Sequence, residues 1–328
     1  MRPGVGVRIE SPGKSFEAER ALLAAGADAA AREGLYEYIP RHKVEQLAGE
    51  RGLLLPSRQW YLGLCRALRV VEDGLAACPP HTLMGSPADI ASMFDKPRCH
   101  ALMDRAGIPV PRGLGTVRSH AELVERMRES GCPRVFVKLA HGSSASGVVA
   151  YEVGRGQQQA TTTVELTRHD GALRLYNSRR IKVYRELGEI VTLIDALCRH
   201  RVHVERWLPK AGLGDRAFDL RVVVIGGRAR HVVARASRSP MTNLHLLNKR
   251  GDVDTVVVRM GPLAWEEALR TCERAAALFP DSLYAGVDLL VAPDYRRHAV
   301  LEINAFGDLL PGALSDGVDT YTAELIAS

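Results

Sequence analysis

The sequence predicts an α/β protein built as α+β subdomains, on three observations. Strand-like runs recur as hairpins, most clearly in DLRVVVIGGRARHVVARAS (219–237), which turns at Gly226-Gly227. Segments of helical composition with N-cap residues lie between those runs. Internal repeats, low-complexity linkers and apolar runs near the roughly 20 residues that cross a bilayer are all lacking.

In chain order, GVGVRIESPGKSF reads as a short strand, a Pro-Gly turn and a helix start, and the Ala-rich run Glu17–Arg32 as a helix. The SPGKS segment is not a phosphate loop: G-x-x-x-x-G-K-[ST] needs glycine where Arg8 stands. Gly13–Ser15 reads as a strand-to-helix turn, with a substrate-facing turn as the alternative. GLLLP is strand-like, and a helix starts near Ser57. Residues 1–85 thus form a small α/β unit. Ser86 with Pro87, and Asp95, open two helices; Gly107 ends the second, and IPVPRG forces extended backbone. SHAELVERMRES is a further capped helix. PRVFVKLAHGSSASGVVAYE reads as strand, loop, strand, and TTTVELTRHDGALRLY as a pair of strands turning at Asp170-Gly171. A helix over Ile190–His200 closes a second region, 86–203, and the strand VHVERWL (202–208) leads out of it. The third, 204–328, holds the Gly226-Gly227 hairpin, a helix over Trp265–Phe279 and a terminal hairpin.

Of the 328 residues, 46% are apolar and 25% charged, as in ordinary globular proteins. The charge of +6 and pI near 9.1 suit an anionic substrate or cofactor. Its basic residues are dispersed, with no Lys/Arg tail and no aromatic RNA motif, so no nucleic-acid partner is expected. The six cysteines, Cys65, Cys78, Cys99, Cys132, Cys198 and Cys272, form no C-x-x-C pair, which argues against zinc or a disulfide framework. Without an export segment, a cytoplasmic protein with no membrane partner is expected.

AGVDLLVAPDYRRHAVLEINAFGDLLPG (285–312) carries the main chemistry. Asp288 is expected at the end of one strand, with Glu302 and Asn304 at the end of the next. Alternation in LEIN puts Glu302 and Asn304 on one face and Leu301 and Ile303 on the other. Two carboxylates and an amide suit a hard cation such as magnesium, with polar residues on a solvated sheet face as the bland alternative. Lys138 closes a Val-Phe-Val strand before HGSSASG, where Gly142 and Gly147 flank small residues and backbone N–H groups can receive phosphate. An exposed hairpin loop is the bland alternative. Lys96, at a helix start, is a second cation or a surface lysine. Arg221 in DLR, with Arg230, Arg235 and Arg238, places forked donors on or beside one hairpin. Asn243 and His245 follow on a loop. No Ser-His-Asp order points to covalent hydrolysis.

With these motifs the chain resembles the ATP-grasp proteins, especially the RimK-like and glutathione-synthetase-like carboxylate–amine ligases. The resemblance runs from Asp95 to Pro311 through DKPRCHALMDRAGIPVPRG, VFVKLAHGSSASGVVAYE, VERWLPK, DLRVVVIGGRARHVVARASRSPMTNLHL, AGVDLLV and VLEINAFGDLLPG. It implies an ATP-grasp fold behind a short pre-grasp domain, with two subdomains clasping MgATP. Lys96 and Lys138 would contact phosphates, and Gly142, Ser143, Ser144 and Gly147 would belong to a mobile lid. Glu205, Trp207 and Leu208 would line the adenine hinge, and Asp288, Glu302 and Asn304 would hold Mg2+. Arg221 and Arg238 would contact the transferring phosphate or acceptor carboxylate, with Asn243 ordering that region. Asp308 stands where relatives have a shorter turn, and His141 with Ser143–Ser146 departs from the usual lid. The implied activity joins a small-molecule or peptide carboxylate to an amine through an acylphosphate. A small-molecule kinase and a non-catalytic nucleotide-binding protein are the alternatives, and a homo-oligomer is compatible with all three.

Overall fold

The computed structural model describes residues 4–13, 15–154, 156–246, 248–306 and 310–328. Its contacts group the chain into two units: residues 1–11, 68–111 and 208–328 in one, and residues 12–67 and 112–207 in the other.

The unit containing residues 112–207 is built on a six-stranded antiparallel sheet. Its strands run Gly113–Gly115, Val202–Arg206, Arg134–Leu139, Val148–Gly154, Gln157–His169 and Ala172–Tyr184 across the sheet. The alternation in RVFVKL decides the layering. Val135, Val137 and Leu139 enter a core with Val202, Val204, Leu123, Ile190 and Leu193, whereas Phe136 and Lys138 face the other side. Each fully buried aliphatic side chain there contributes roughly 1.5–3 kcal/mol. Helix His120–Ser130 starts at an N-cap serine, Ser119, and ends at left-handed Gly131. The helix expected over Ile190–His200 spans Leu187–Cys198. The Asp170-Gly171 turn is present, but its strands extend to 13 residues each. The Ala-rich helix runs Phe16–Glu33 from an N-cap serine, Ser15. GLLLP makes only a bridge, between Leu53 and Tyr176, because Pro56 removes a donor just before helix Ser57–Ala76.

The other unit has its own six-stranded antiparallel sheet. Strands Lys249–Gly251, Arg228–Ser237, Arg216–Ile225, Tyr284–Val291 and His298–Asn304 lie in that order, and Gly212–Leu213 pairs with Arg216–Ile225. Gly226 and Gly227 both have positive φ, as a two-residue primed turn requires. Helix Val253–Ala276 packs against the four long strands; it is longer than the expected Trp265–Phe279 and breaks at Gly261-Pro262. Ser86 and Asp95 cap helices Pro87–Met93 and Lys96–Arg105 as expected. A parallel pair, Val5–Val7 with His81–Leu83, completes this unit. Among the described residues, no helix is long and apolar enough to cross a membrane, and all six cysteines are free thiols.

Candidate functional site

One row of charges crosses the sheet of residues 216–304. Arg221 lies directly opposite Asp288, and Asp288 directly opposite Glu302, so the three side chains share one face. Leu220, Val222, Val287, Leu289 and Ile303 alternate onto the opposite, buried face. The register shifts just after Asp288, where Leu301 is the extra residue, a bulge of the kind that recurs beside functional sites. Contrary to expectation, Asp288 is not at a strand end. It sits inside Tyr284–Val291, because the apolar residues on both sides of it keep the strand buried throughout.

Cations surround these acids. Arg221 Nε lies 2.7 Å from Asp288 Oδ1, Arg235 Nη2 3.1 Å from Asp288 Oδ2, and Lys96 Nζ 2.7 Å from Glu302 Oε1. Arg235 also donates from Nε to Asp219 Oδ1 at 2.7 Å. The other Asp219 oxygen accepts from Lys210 Nζ at 3.0 Å and from the Thr242 hydroxyl, and Lys210 reaches Thr242 Oγ1 at 2.7 Å. Complete burial would raise the Asp219 pKa, but Arg235 and Lys210 outweigh it and hold the carboxyl well below the usual range. Burial likewise opposes the charge on Arg235, and Asp219 and Asp288 together keep it protonated.

Arg238 stands apart from this network. It is 70% exposed and pairs with Asp215, donating from Nε at 2.7 Å. The guanidinium beside Asp288 and Asp219 is that of Arg235, although both arginines sit on or next to the same hairpin. Lys210, Asp219 and Thr242 had no assigned role in the sequence; the available signal was a charge among the apolar residues of a central strand. The Asn243 carbonyl accepts from Asn248 Nδ2 at 2.9 Å, which braces its loop. The His245 side chain and Asp308 lie outside the described residues.

The donors fit magnesium. Asp288 and Glu302 offer carboxylate oxygens from adjacent strands, and Asn304 donates its NH2 group to the Gly286 carbonyl at 3.3 Å, leaving Oδ1 as its acceptor atom. An all-oxygen set from a rigid strand pair suits a hard divalent cation.

In the other unit, Lys138 and Glu205 form an ion pair on the polar face of their sheet, with Glu205 2% exposed. Phe136 is directly opposite Glu205, and Lys138 opposite His203. Trp207 carries the Arg134 guanidinium 3.8 Å over its ring and meets Phe136 at 5.4 Å. Leu208, the next residue in the chain, is half-buried and begins the stretch 208–328 of the first unit. The loop after Lys138 is tightly built. A Cβ on Gly147, whose φ is +64°, would come within 2.5 Å of Leu139. Ser143 and Ser144 are exposed at the tip, and Ser144 and Ala145 have φ of 52° and 59°, a region that costs a side-chain-bearing residue roughly 1–2 kcal/mol. His141, at the root, stacks on Tyr61 at 3.9 Å. Its Nε2 faces Arg58 at 3.3 Å and Arg201 at 3.2 Å. A guanidinium only donates, so this nitrogen is the unprotonated acceptor.

Two antiparallel sheets with helices, one carrying the lysine and glycine loop and the other the paired acids, are consistent with the ATP-grasp-like fold that the sequence resemblance implies. The chain is similar to the D-alanine–D-alanine ligase of Bacillus anthracis complexed with ATP, at 13% identity and a TM-score of 0.51, over 99% of this chain and 92% of that one. It is equally similar to the D-alanine–D-alanine ligase of Coxiella burnetii, at 13% identity and a TM-score of 0.51, over 98% and 90% of the two chains. No protein-family model and no curated protein matches the sequence.

Proposed function

We propose that the chain is an ATP-dependent carboxylate–amine ligase, of the type its resemblance to RimK-like and glutathione-synthetase-like enzymes implies. The observation that carries this reading is the row Arg221–Asp288–Glu302 with Lys96 and Asn304: oxygens for a cation, framed by cations for phosphate. In the other unit, Lys138 beside a glycine-flanked loop offers a charge and backbone donors suited to a triphosphate.

In the reaction, a substrate carboxylate oxygen attacks the γ-phosphorus of ATP, the bond to the ADP oxygen breaks, and an acylphosphate forms. The nitrogen of a neutral amine then attacks the acyl carbon, inorganic phosphate leaves with the C–O electron pair, and the ammonium proton passes to phosphate or solvent. Arg221 and Arg235 are the groups suited to steady negative charge on the transferring phosphoryl and the acyl oxygen; Lys96 and Lys138 are suited to the ATP phosphates. We assign Arg238 and Asn243 to the rim, where an incoming substrate is met. Glu205, Trp207 and Leu208 are assigned to the base. Asp288, Glu302 and Asn304 would hold Mg2+, which when bound neutralises phosphate oxygens. The pre-grasp region 1–85, lid region 86–203 and metal-bearing region 204–328 are the functional parts of this reading. Six free thiols support a reducing, cytoplasmic setting, and the basic balance favours acidic small molecules or peptides as substrates.

The test is incubation with MgATP and pooled amino acids and peptides, followed by mass spectrometry. ADP, phosphate and a product equal to both substrates less one water support the ligase. A phosphorylated acceptor without condensation would replace it with a kinase, and binding without turnover with a nucleotide-responsive protein. Glu302→Gln should abolish turnover while the protein stays folded.

A further inference from the structure

The loop from Gly142 to Gly147 has a built tip. The Ser146 amide donates to the Ser143 carbonyl at 2.8 Å, and the two residues between them, Ser144 and Ala145, are both left-handed. That is a primed turn, for which Asn-Gly is the usual choice; here Ser-Ala occupies it. Such backbone persists only where its surroundings over-determine it. The surroundings include Thr163, whose Oγ1 donates to the Ala145 carbonyl at 2.9 Å.

Thr163 is fully buried on strand Gln157–His169. Pairing of that strand with Val148–Gly154 stops at Thr162, opposite Val149. On its other side the register with Ala172–Tyr184 shifts between Thr162 and Val164, so residues 178–181 stand against Thr163 alone. The extra residues lie on the neighbouring strand, and Thr163, outside the printed register on both sides, gives its hydroxyl to a loop carbonyl. The neighbouring Thr162 hydroxyl donates to the Val148 carbonyl at 2.7 Å, just beyond the loop exit. At the entry, the Gly142 amide donates to the Leu139 carbonyl at 3.2 Å. Among the described residues, no acceptor takes the amides of Ser143, Ser144 and Ala145, which leaves them for an anion or solvent.

We propose that Thr163 is a positioning residue that pins this loop in its anion-receiving conformation before any ligand arrives. The use of the pinned loop rests on the ligase reading, in which it meets the ATP phosphates; the pinning itself does not. A lid already ordered costs the ligand little further ordering on binding.

The test compares wild type, Thr163→Val, which keeps the shape and loses the hydroxyl, and Thr163→Ser, which restores it. Amide hydrogen exchange over residues 142–147 is measured without nucleotide, and KM for ATP and kcat are measured with it. The expected result for Thr163→Val is loop exchange faster by about tenfold and KM raised by about tenfold, the worth of one hydrogen bond, with kcat changed less. Thr163→Ser should return both to within about twofold of wild type. If Thr163→Val destabilises the whole domain, adding Ala145→Gly, which relaxes the left-handed turn, should recover nucleotide affinity without restoring the hydroxyl. Unchanged loop exchange in Thr163→Val overturns the proposal, as does failure of Thr163→Ser to rescue. Faster loop exchange in a protein with no affinity for ATP supports the pinning and overturns only the ligase reading.

Discussion

Asp219 shows how one buried carboxylate organises its neighbours. It is wholly enclosed, yet Arg235, Lys210 and Thr242 satisfy both oxygens, so its charge is kept. Asp219→Asn leaves Arg235 and Lys210 short of a counter-charge in a dry setting and should lower stability by about 3–5 kcal/mol in urea titrations. Arg238→Ala removes an arginine that solvent already screens, and should leave the urea midpoint unchanged within error. The contrast explains what was readable at this scale. Lys138, Asp288, Glu302 and Asn304 stood out because each interrupts or closes an apolar strand. Arg235 and Arg238 look alike in a one-dimensional string; only the pairing of Asp219 with Arg235 across the hairpin distinguishes them.

Among elements, the loop from Gly142 to Gly147 and the strand feeding it act together. Gly147 combines a left-handed φ with the Leu139 side chain pressed against it. Gly147→Ala should therefore displace the loop as well as strain it, weakening nucleotide binding by about tenfold or more in calorimetry, with a smaller loss of thermal stability. The strands, caps and turns of the chain were legible because Ser86, Asp95, Ser119 and the paired glycines report local backbone needs. The bulge at Thr163 was not. It depends on how three strands register against one another, and TTTV offers three equivalent hydroxyls with no local cue to the one that leaves the ladder. Helix Val253–Ala276 begins well before the expected Trp265 for a related reason: buried Val256 and Met260 precede the Gly261-Pro262 break as Ala268 and Cys272 follow it, so both sides of the break are held by packing.

For the whole molecule, buried His120 and His200 and half-buried His298 contribute to the response to acid. Burial lowers the pKa of His200, and lowers those of His120 and His298 as well, the Asp195 carboxylate opposing it at His120. The unfolded chain titrates them near ~6.5 and so binds more protons there than the folded one. Stability should be full above that pH and fall as pH drops below it, which denaturant midpoints at pH 7.5 and 5.5 would measure; His200→Gln should lessen the fall. Burial also pushes the Cys99 and Cys198 thiols up to about 12, and Cys132 and Cys272 are enclosed too. A thiol reagent should modify only Cys65 and Cys78 in the native protein, and all six cysteines after denaturation. The α+β character was legible from the hairpins, and the division into two subdomains only through the resemblance that the ordered motifs carry. The assembly of each unit from separated stretches was not, because it depends on packing between residues far apart in the chain.

The row that runs from Asp219 through Arg235 and Asp288 to Arg221 has a consequence for how the sequence can vary. Arg235 serves two acids, and Asp288 serves two arginines. Replacing any one of them strands a neighbour, so single changes here are harmful where paired changes are tolerable. Drift at these positions must therefore be concerted, and a library that randomises Asp219 and Arg235 together should yield folded variants that neither position gives alone.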